Sequence, residues 1–436
     1  MKILIISRVV PCPEGEDALQ KLYLLIQKLY NESQHKIDLA LINQPDLYKN
    51  YKSSEIQNRD EVDFKNEFKK IKIHKIFLKF TIVFFSFQNI SRKLLKFFSL
   101  NHYQFYKNAN LEKKLFETIE KINPDIVITL HDGEILSNLI KCSKNKSFKI
   151  VQFIGLMDHE TQQIRMENYI RNCNNFLSKF YTILKYKYLV FKLRFFFKEI
   201  CNKTSQNIFF DTDSVDRAKK LGINNVEYSK QYTRDFGGED WFSKRKNSND
   251  LLFLNAALTT INVNAVDNLI KYIIPHLKDL KNKNNNIFDN LIIVGVDNEL
   301  TNKIKNLNIS WIVFTGWVDK ISEIFLRSKC IIITNDSFLG SRTKIFHALS
   351  CGLPVITTEC NTRFHPNLIN KINILIANDF DHMKILLSEF LSGEINESKL
   401  SLNARIAFEK NYKKEVILDL LVNKIENIQN NRSIVK

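Results

Sequence analysis

Lys2–Ser7 is a near-continuous run of β-branched and aliphatic residues, the pattern of a strand buried on both faces. A Pro/Gly/acid loop follows at Pro11–Asp17, and then Leu19, Leu22, Leu25, Ile26 and Leu29 recur on one helical face. Two-sided apolar runs of the same kind predict strands at Ile37–Ile42, Ile126–Leu130, Phe148–Ile154 and Asn207–Phe210, with helices between them at Leu111–Ile122, Glu134–Ser143 and Ser214–Leu221. After a polar stretch, Tyr228–Asp250, the alternation restarts. Strands are predicted at Leu251–Asn255, Leu291–Val294, Trp311–Thr315, Cys330–Thr334 and Val355–Thr357. Helices are predicted at Asn264–Lys281, Leu300–Leu307, Lys320–Arg327 and Arg342–Ser350, with helical patterns from Phe380 to Asn430. Strand and helix in alternation imply an α/β protein with doubly wound parallel sheets. Two such domains, at 1–235 and 236–405, are expected to face a cleft at the carboxyl ends of their strands, with a helical segment at 406–436 closing the chain.

The composition agrees: 44% hydrophobic and 25% charged residues over 436 positions exclude global disorder, collagen-like sequence and a polytopic membrane protein. The formal charge of +17 implies an anionic partner, whether phosphate, acidic glycan or a membrane face. Seven scattered cysteines with no CxxC pair read as a reducing cytoplasm. The opening MKILIISRVVPCP has no signal-peptide core, so export is not expected. Ile76–Phe87 and Tyr186–Phe197 are interrupted by Lys79, Lys187, Lys192 and Arg194, too short and too charged to span a bilayer.

The segment with the most chemical content is Thr334–Thr358, TNDSFLGSRTKIFHALSCGLPVITT. A strand ends near Thr334, Gly340 and Ser341 lie in the following loop, and Arg342 and Lys344 stand in the first turn of a helix that Gly352 terminates. Cations at a helix N-terminus oppose its dipole, and a bound anion reverses that sign. The placement therefore predicts a phosphate site, with Gly340 permitting close backbone approach and Arg342 and Lys344 neutralising a diphosphate.

The same segment resembles the donor-site motif of retaining GT-B glycosyltransferases of family 4 (glycosyl transferases group 1), matching at Gly340, Arg342, Lys344, Ala348, Gly352, Pro354 and Val355. The opening KILIISRVVPCPEG and the stretches LLFLNAALTTINVNAVDNLI, LIIVGVDN and WIVFTGWVDKISEIF are similar to other parts of that family. The resemblance implies two Rossmann-like domains and a glycosyltransferase that moves a sugar from a nucleotide-sugar donor, with retention and without a metal or other cofactor. Donor contacts are then expected from Gly15, Gly316, Gly340, Ser341, Arg342, Lys344 and His347. The family's two glutamates, eight positions apart, fall here on Leu339 and His347, so one imidazole acceptor stands where a carboxylate would receive the ribose hydroxyls.

Strand ends in the first domain offer His131 and Asp132 after Ile126–Leu130, and Asp158, His159 and Glu160 after Phe148–Ile154. Asp158 or His159 is expected at the acceptor hydroxyl and His131 at the sugar, with helix capping as the competing role for Asp132 and Asp158. Asp211-Thr212-Asp213 spells a metal-binding DxD, but Asp213 is well placed as the N-cap of Ser214–Leu221, and no metal site is expected.

Twelve basic residues against two acids between Phe64 and Lys114, and seven against one between Phe176 and Lys203, are interleaved with aromatics. This predicts peripheral contact with an anionic membrane, at its cytoplasmic face, and suits a glycan or lipid-linked oligosaccharide acceptor in cell-surface polysaccharide synthesis. On a helix over Phe176–Lys198, Lys185 and Lys192 share one side and Lys187, Arg194 and Lys198 the other, which is not a simple amphipathic ribbon. Nucleic-acid motifs are absent from the sequence. Two other classes stay open: a non-catalytic GT-B subunit that binds a partner, and a sugar-nucleotide epimerase.

Overall fold

The computed structural model describes residues 1–13, 17–32, 34–43, 54–77, 109–144, 146–155, 157, 160, 163, 170, 176–245, 248–254, 260–295, 299–316, 318, 320–336 and 342–430. The chain divides into two compact units, Met1–Ser229 with Leu418–Lys436, and Lys230–Ile417; the sequence placed its divisions at 235/236 and 405/406.

The first unit holds β1 (Lys2–Ser7), β2 (Lys36–Asn43), β3 (Lys72–Phe77), β4 (Ile126–Leu130), β5 (Lys149–Ile154), β6 (Gln206–Phe209) and β7 (Val226–Tyr228). They form one parallel sheet in the order β3-β2-β1-β4-β5-β6-β7. Ile3, Leu4, Ile5 and Ile6 of β1 are fully buried because helices cover both faces of a doubly wound sheet, which is why this strand reads as an unbroken apolar run. β3 was not predicted: its sequence KIHKIF carries exposed lysines at both Lys72 and Lys75, the composition of a charged edge strand. The helix Ser54–Glu67 before it was also missed.

The second unit holds β8 (Leu251–Leu254), β9 (Leu291–Val294), β10 (Ile312–Gly316), β11 (Cys330–Ile333), β12 (Val355–Thr358) and β13 (Leu375–Ala377). Its parallel order, β10-β9-β8-β11-β12-β13, repeats that of the first without a counterpart of β7. β7 and β13 escaped the sequence reading because three residues are too few to show a period. The predicted helix from Asn264 extends over Thr260–Lys283, with a π-helical turn at Leu269–Ile273 where the Ile274 amide reaches the Leu269 carbonyl. Pro275 lies just beyond, and a proline ring that lacks an N–H and crowds the preceding turn favours such a bulge.

One expected cap is corrected. The helix over 212–220 is capped by Asp211, whose carboxylate accepts from the Ser214 amide at 2.6 Å; Asp213 lies inside its first turn and pairs with Arg217. Both DxD carboxylates are thus engaged locally. The two-unit, all-parallel architecture is the predicted α/β fold.

Candidate functional site

In each sheet the strand order reverses between two neighbours, β1 and β4 in the first and β8 and β11 in the second. Ligands of such sheets bind beyond the carboxyl ends of the strands at this reversal. Lys344, on the helix Thr343–Ser350 that follows β11, reaches the reversal of the second sheet and donates from Nζ to the Leu254 carbonyl, at the end of β8, at 2.8 Å. Arg342, at the N-cap position of the same helix, is buried, and its Nε donates to Asn361 Oδ1 at 2.6 Å.

Burial pushes the Lys344 ammonium down to about 8, and the positive charge of Arg342 acts in the same direction. Burial likewise lowers the Arg342 guanidinium, opposed by Cys360 and Asp336. Among the described residues Lys344 forms no ion pair with a carboxylate. Two cations are therefore held close together at a strand end and a helix start. An anion with two or more charges placed there would relieve their repulsion and restore their charged forms.

A polar cluster fixes this geometry. Asn361 Nδ2 lies 2.9 Å from the Asn335 carbonyl, from Thr357 Oγ1 and from Thr358 Oγ1. The amide is thereby oriented with Oδ1 toward Arg342. Thr358 Oγ1 and Cys360 Sγ also donate to the Asn335 carbonyl, at 2.8 and 3.2 Å. The end of β11 is tied to the long helix of the second unit by Thr334 Oγ1 to the Ala265 carbonyl at 2.5 Å and by Asn268 Nδ2 to the Thr334 carbonyl at 3.0 Å. Asn335, Thr358 and Asn361 were not singled out from the sequence. The signal was the polar run TTECN, which closes β12 and continues past it, easily read as an ordinary turn.

The far end of the same helix is locked independently. Gly352 has φ +59°, and a Cβ built on it would collide with the Trp241 ring. Ser401 Oγ donates to the Gly352 carbonyl at 2.5 Å. Buried Arg405 makes a bidentate pair with Asp235 at 2.6 and 2.7 Å and also donates to the Ser350 carbonyl. His347 is half-buried, its ring 4.6 Å from that of Phe236. Gly316 ends β10 in a left-handed conformation, φ +70°, and its carbonyl accepts from the Gly295 amide at 3.0 Å. Gly340 and Ser341 lie outside the described residues, as do Gly15, Asp158 and His159.

In the first unit, His131 follows β4 and contacts Gln152 Oε1 through Nδ1 at 2.8 Å. A chain of amides sets its tautomer. Asn207 Nδ2 donates to the Cys201 and Asn225 carbonyls at 3.0 Å each, so its Oδ1 receives Gln152 Nε2. Gln152 Oε1 is then left facing the imidazole, whose Nδ1 carries the proton. His131 Nε2 is buried, and the ring packs edge-on to Phe197 with centroids 5.1 Å apart. Asp132 caps the helix Gly133–Ser143 through the Ile135 amide at 3.1 Å, the competing role the sequence left open. It also receives Arg8 Nε at 2.5 Å, and Glu134 receives Arg8 Nη2 at 2.7 Å. Burial works against the Arg8 charge, but the bonds and charges of Asp132 and then Glu134 outweigh it and raise the guanidinium. Glu160 is buried and paired with Arg217 at 2.6 Å; burial raises its carboxyl despite that partner.

Comparison with known proteins accords with this arrangement. Residues 248–390 match the model of the family described as Glycosyl transferases group 1. An uncharacterized glycosyltransferase of Methanocaldococcus jannaschii, MJ1059, is 26% identical over 341 residues, covering 72% of this chain and 74% of that protein. Among solved structures, sucrose-phosphate synthase from Thermosynechococcus elongatus superposes with a TM-score of 0.64 at 10% identity, over 98% of each chain. The Anabaena protein HepE, in complex with UDP and glucose, gives 0.63 at 11% identity, over 98% of this chain and 100% of that one.

Proposed function

We propose, for a chain whose residues 248–390 match the Glycosyl transferases group 1 model and whose fold is that of GT-B proteins, that it transfers a sugar from a nucleotide-sugar donor. The observation that carries this reading is the convergence of Arg342 and Lys344 at the strand reversal of the second sheet, where burial and the neighbouring guanidinium push the Lys344 ammonium down. Both cations are oriented before any ligand arrives, so little reorganisation accompanies the departure of a diphosphate. In the second unit, Gly340 and Ser341 are the further residues expected at the phosphates, Gly316 at the donor and His347 at the ribose. In the first unit, the loop and strand-end candidates are Gly15, His131 and Asp158 or His159, with the acceptor hydroxyl assigned to Asp158 or His159. Transfer proceeds with retention, and the reading needs no metal, since two cations already offset the leaving-group charge. The acceptor is a glycan or lipid-linked oligosaccharide of cell-surface polysaccharide synthesis. UDP is the first nucleotide to test, because HepE binds UDP and glucose on a similar fold.

Nucleotide release from UDP-hexoses, measured with and without candidate acceptors, tests the reading. Release that depends on acceptor supports a transferase. An isomerised donor identifies an epimerase instead. A folded protein that binds no nucleotide is a non-catalytic partner subunit.

A further inference from the structure

The helix Phe176–Lys203 has two apolar faces. Leu193, Phe197, Ile200 and Cys201 are buried in the first unit. On the opposite side Phe180, Leu184, Tyr188, Phe191 and Phe195 follow one another at spacings of four, four, three and four, each between 50% and 69% exposed. At 100° per residue these five fall within an arc of about 80°, and at 1.5 Å per residue they extend about 22 Å along the helix. Exposed Lys187, Arg194 and Lys198 border that arc on one side, with Lys185 and exposed Lys192 on the other. The cations that defeated a simple amphipathic pattern are thus the two margins of an outward-facing stripe. The second apolar face, turned into the unit, is what hid it.

We infer that this stripe is a docking surface for an anionic lipid bilayer, with the helix lying in the plane of the interface. Aromatic rings with cationic margins suit the boundary between acyl chains and headgroups: the rings enter the apolar layer while lysine and arginine stems reach back to the phosphates. Lys192 Nζ already stands 4.9 Å over the Tyr188 ring. No described helix is long and apolar enough to cross a membrane, so the helix lies on the surface. Pairing with a second copy of the chain is disfavoured by the same margins, because a two-fold axis through the stripe brings cations against cations. Glu199, the one acid of that helix, pairs with Lys203.

Co-sedimentation of the full chain with vesicles tests this, and because no nucleotide is present it stands or falls apart from the donor reading. Vesicles of phosphatidylglycerol mixed with phosphatidylcholine are expected to capture the protein, and added salt to release it. Phosphatidylcholine alone should capture far less. Withdrawing the cations Lys187, Arg194 and Lys198 together, each to Ala, is expected to weaken capture about a hundredfold, at about fivefold per cation. Phe191→Ser with Phe195→Ser should abolish capture without moving the thermal midpoint, since both side chains face outward. Phe191→Trp offers a readout that leaves the surface intact, with tryptophan emission shifting blue on phosphatidylglycerol vesicles. Equal capture by both vesicle types, emission from the Phe191→Trp variant that does not shift, or serine variants that bind vesicles as the parent does while turning a dimer into a monomer would each overturn the inference.

Discussion

At the scale of single residues, Lys344 carries the sharpest expectation. Its ammonium titrates near 8 in the free protein because burial and Arg342 disfavour its charge. A bound diphosphate favours that charge, so the titration moves upward on binding. Affinity is then full below pH 8, where the proton is already in place, and falls as pH rises through 8, by about tenfold per unit at the limit of one proton. Calorimetry of UDP binding in buffers of different ionisation enthalpy should show proton uptake on binding between pH 8 and 9. Asn361 supplies a second test. Its Oδ1 receives Arg342 Nε, so Asn361→Asp places a carboxylate beside that guanidinium. The charge pair should keep the protein folded while it competes with phosphate for Arg342. UDP affinity is expected to fall roughly tenfold or more, the equivalent of one good charge-assisted bond, and the thermal midpoint to fall with it, because the second carboxylate oxygen replaces the donor that met the Asn335 carbonyl. Arg342 and Lys344 were legible in the sequence because cations at a helix start contradict the helix dipole. Asn361 was not, because its role comes from an amide held among Asn335, Thr357 and Thr358, and no periodicity encodes that.

At the scale of elements, the helix Thr343–Ser350 is held at both ends, by the Asn361 cluster at its start and by Gly352, Trp241 and Arg405 at its finish. Gly352→Ala adds a methyl group in a left-handed backbone and drives it into the Trp241 ring. The left-handed term costs about 1–2 kcal/mol and the overpacking about 1–3 kcal/mol, a sum observable by urea unfolding. Pairing the change with Trp241→Ala should cost less than the two separate losses added, since the collision then disappears. The sequence exposed buried elements well: β1, β4 and β9 are dominated by buried aliphatic residues and were found to within a residue. It concealed β3, whose lysines belong to a charged edge, and the three-residue strands β7 and β13. Helix starts were read to within a few residues. The cap over 212–220 was misassigned by two positions because Asp211 and Asp213 are both adequate N-caps and only the main-chain path decides between them.

At the scale of the whole molecule, two units that share a strand order over six strands assign different work to their strand ends. The second gathers two neighbouring cations at its strand reversal. The first gathers one cation and two carboxylates, with Arg8 between Asp132 and Glu134, and carries its surplus cations on the helix Phe176–Lys203 instead. The chain returns to the first unit at Leu418, where Leu418, Leu421 and Ile425 are buried and Glu426 meets His35 at 2.7 Å. A C-terminal segment that reads as separate in sequence therefore belongs to the N-terminal core, a long-range pairing that local patterns do not record. The central claim is that the strand reversal of the second sheet binds a nucleoside diphosphate through Lys344 and Arg342. Titration calorimetry of the parent and Lys344→Ala against UDP, GDP, ADP, TDP and CMP tests it most directly. Binding of at least one diphosphate by the parent, weakened roughly tenfold or more in Lys344→Ala by loss of a charge-assisted contact, is the expected result. A Lys344→Ala variant that binds that nucleotide as tightly as the parent, or a parent silent across the panel, would contradict it.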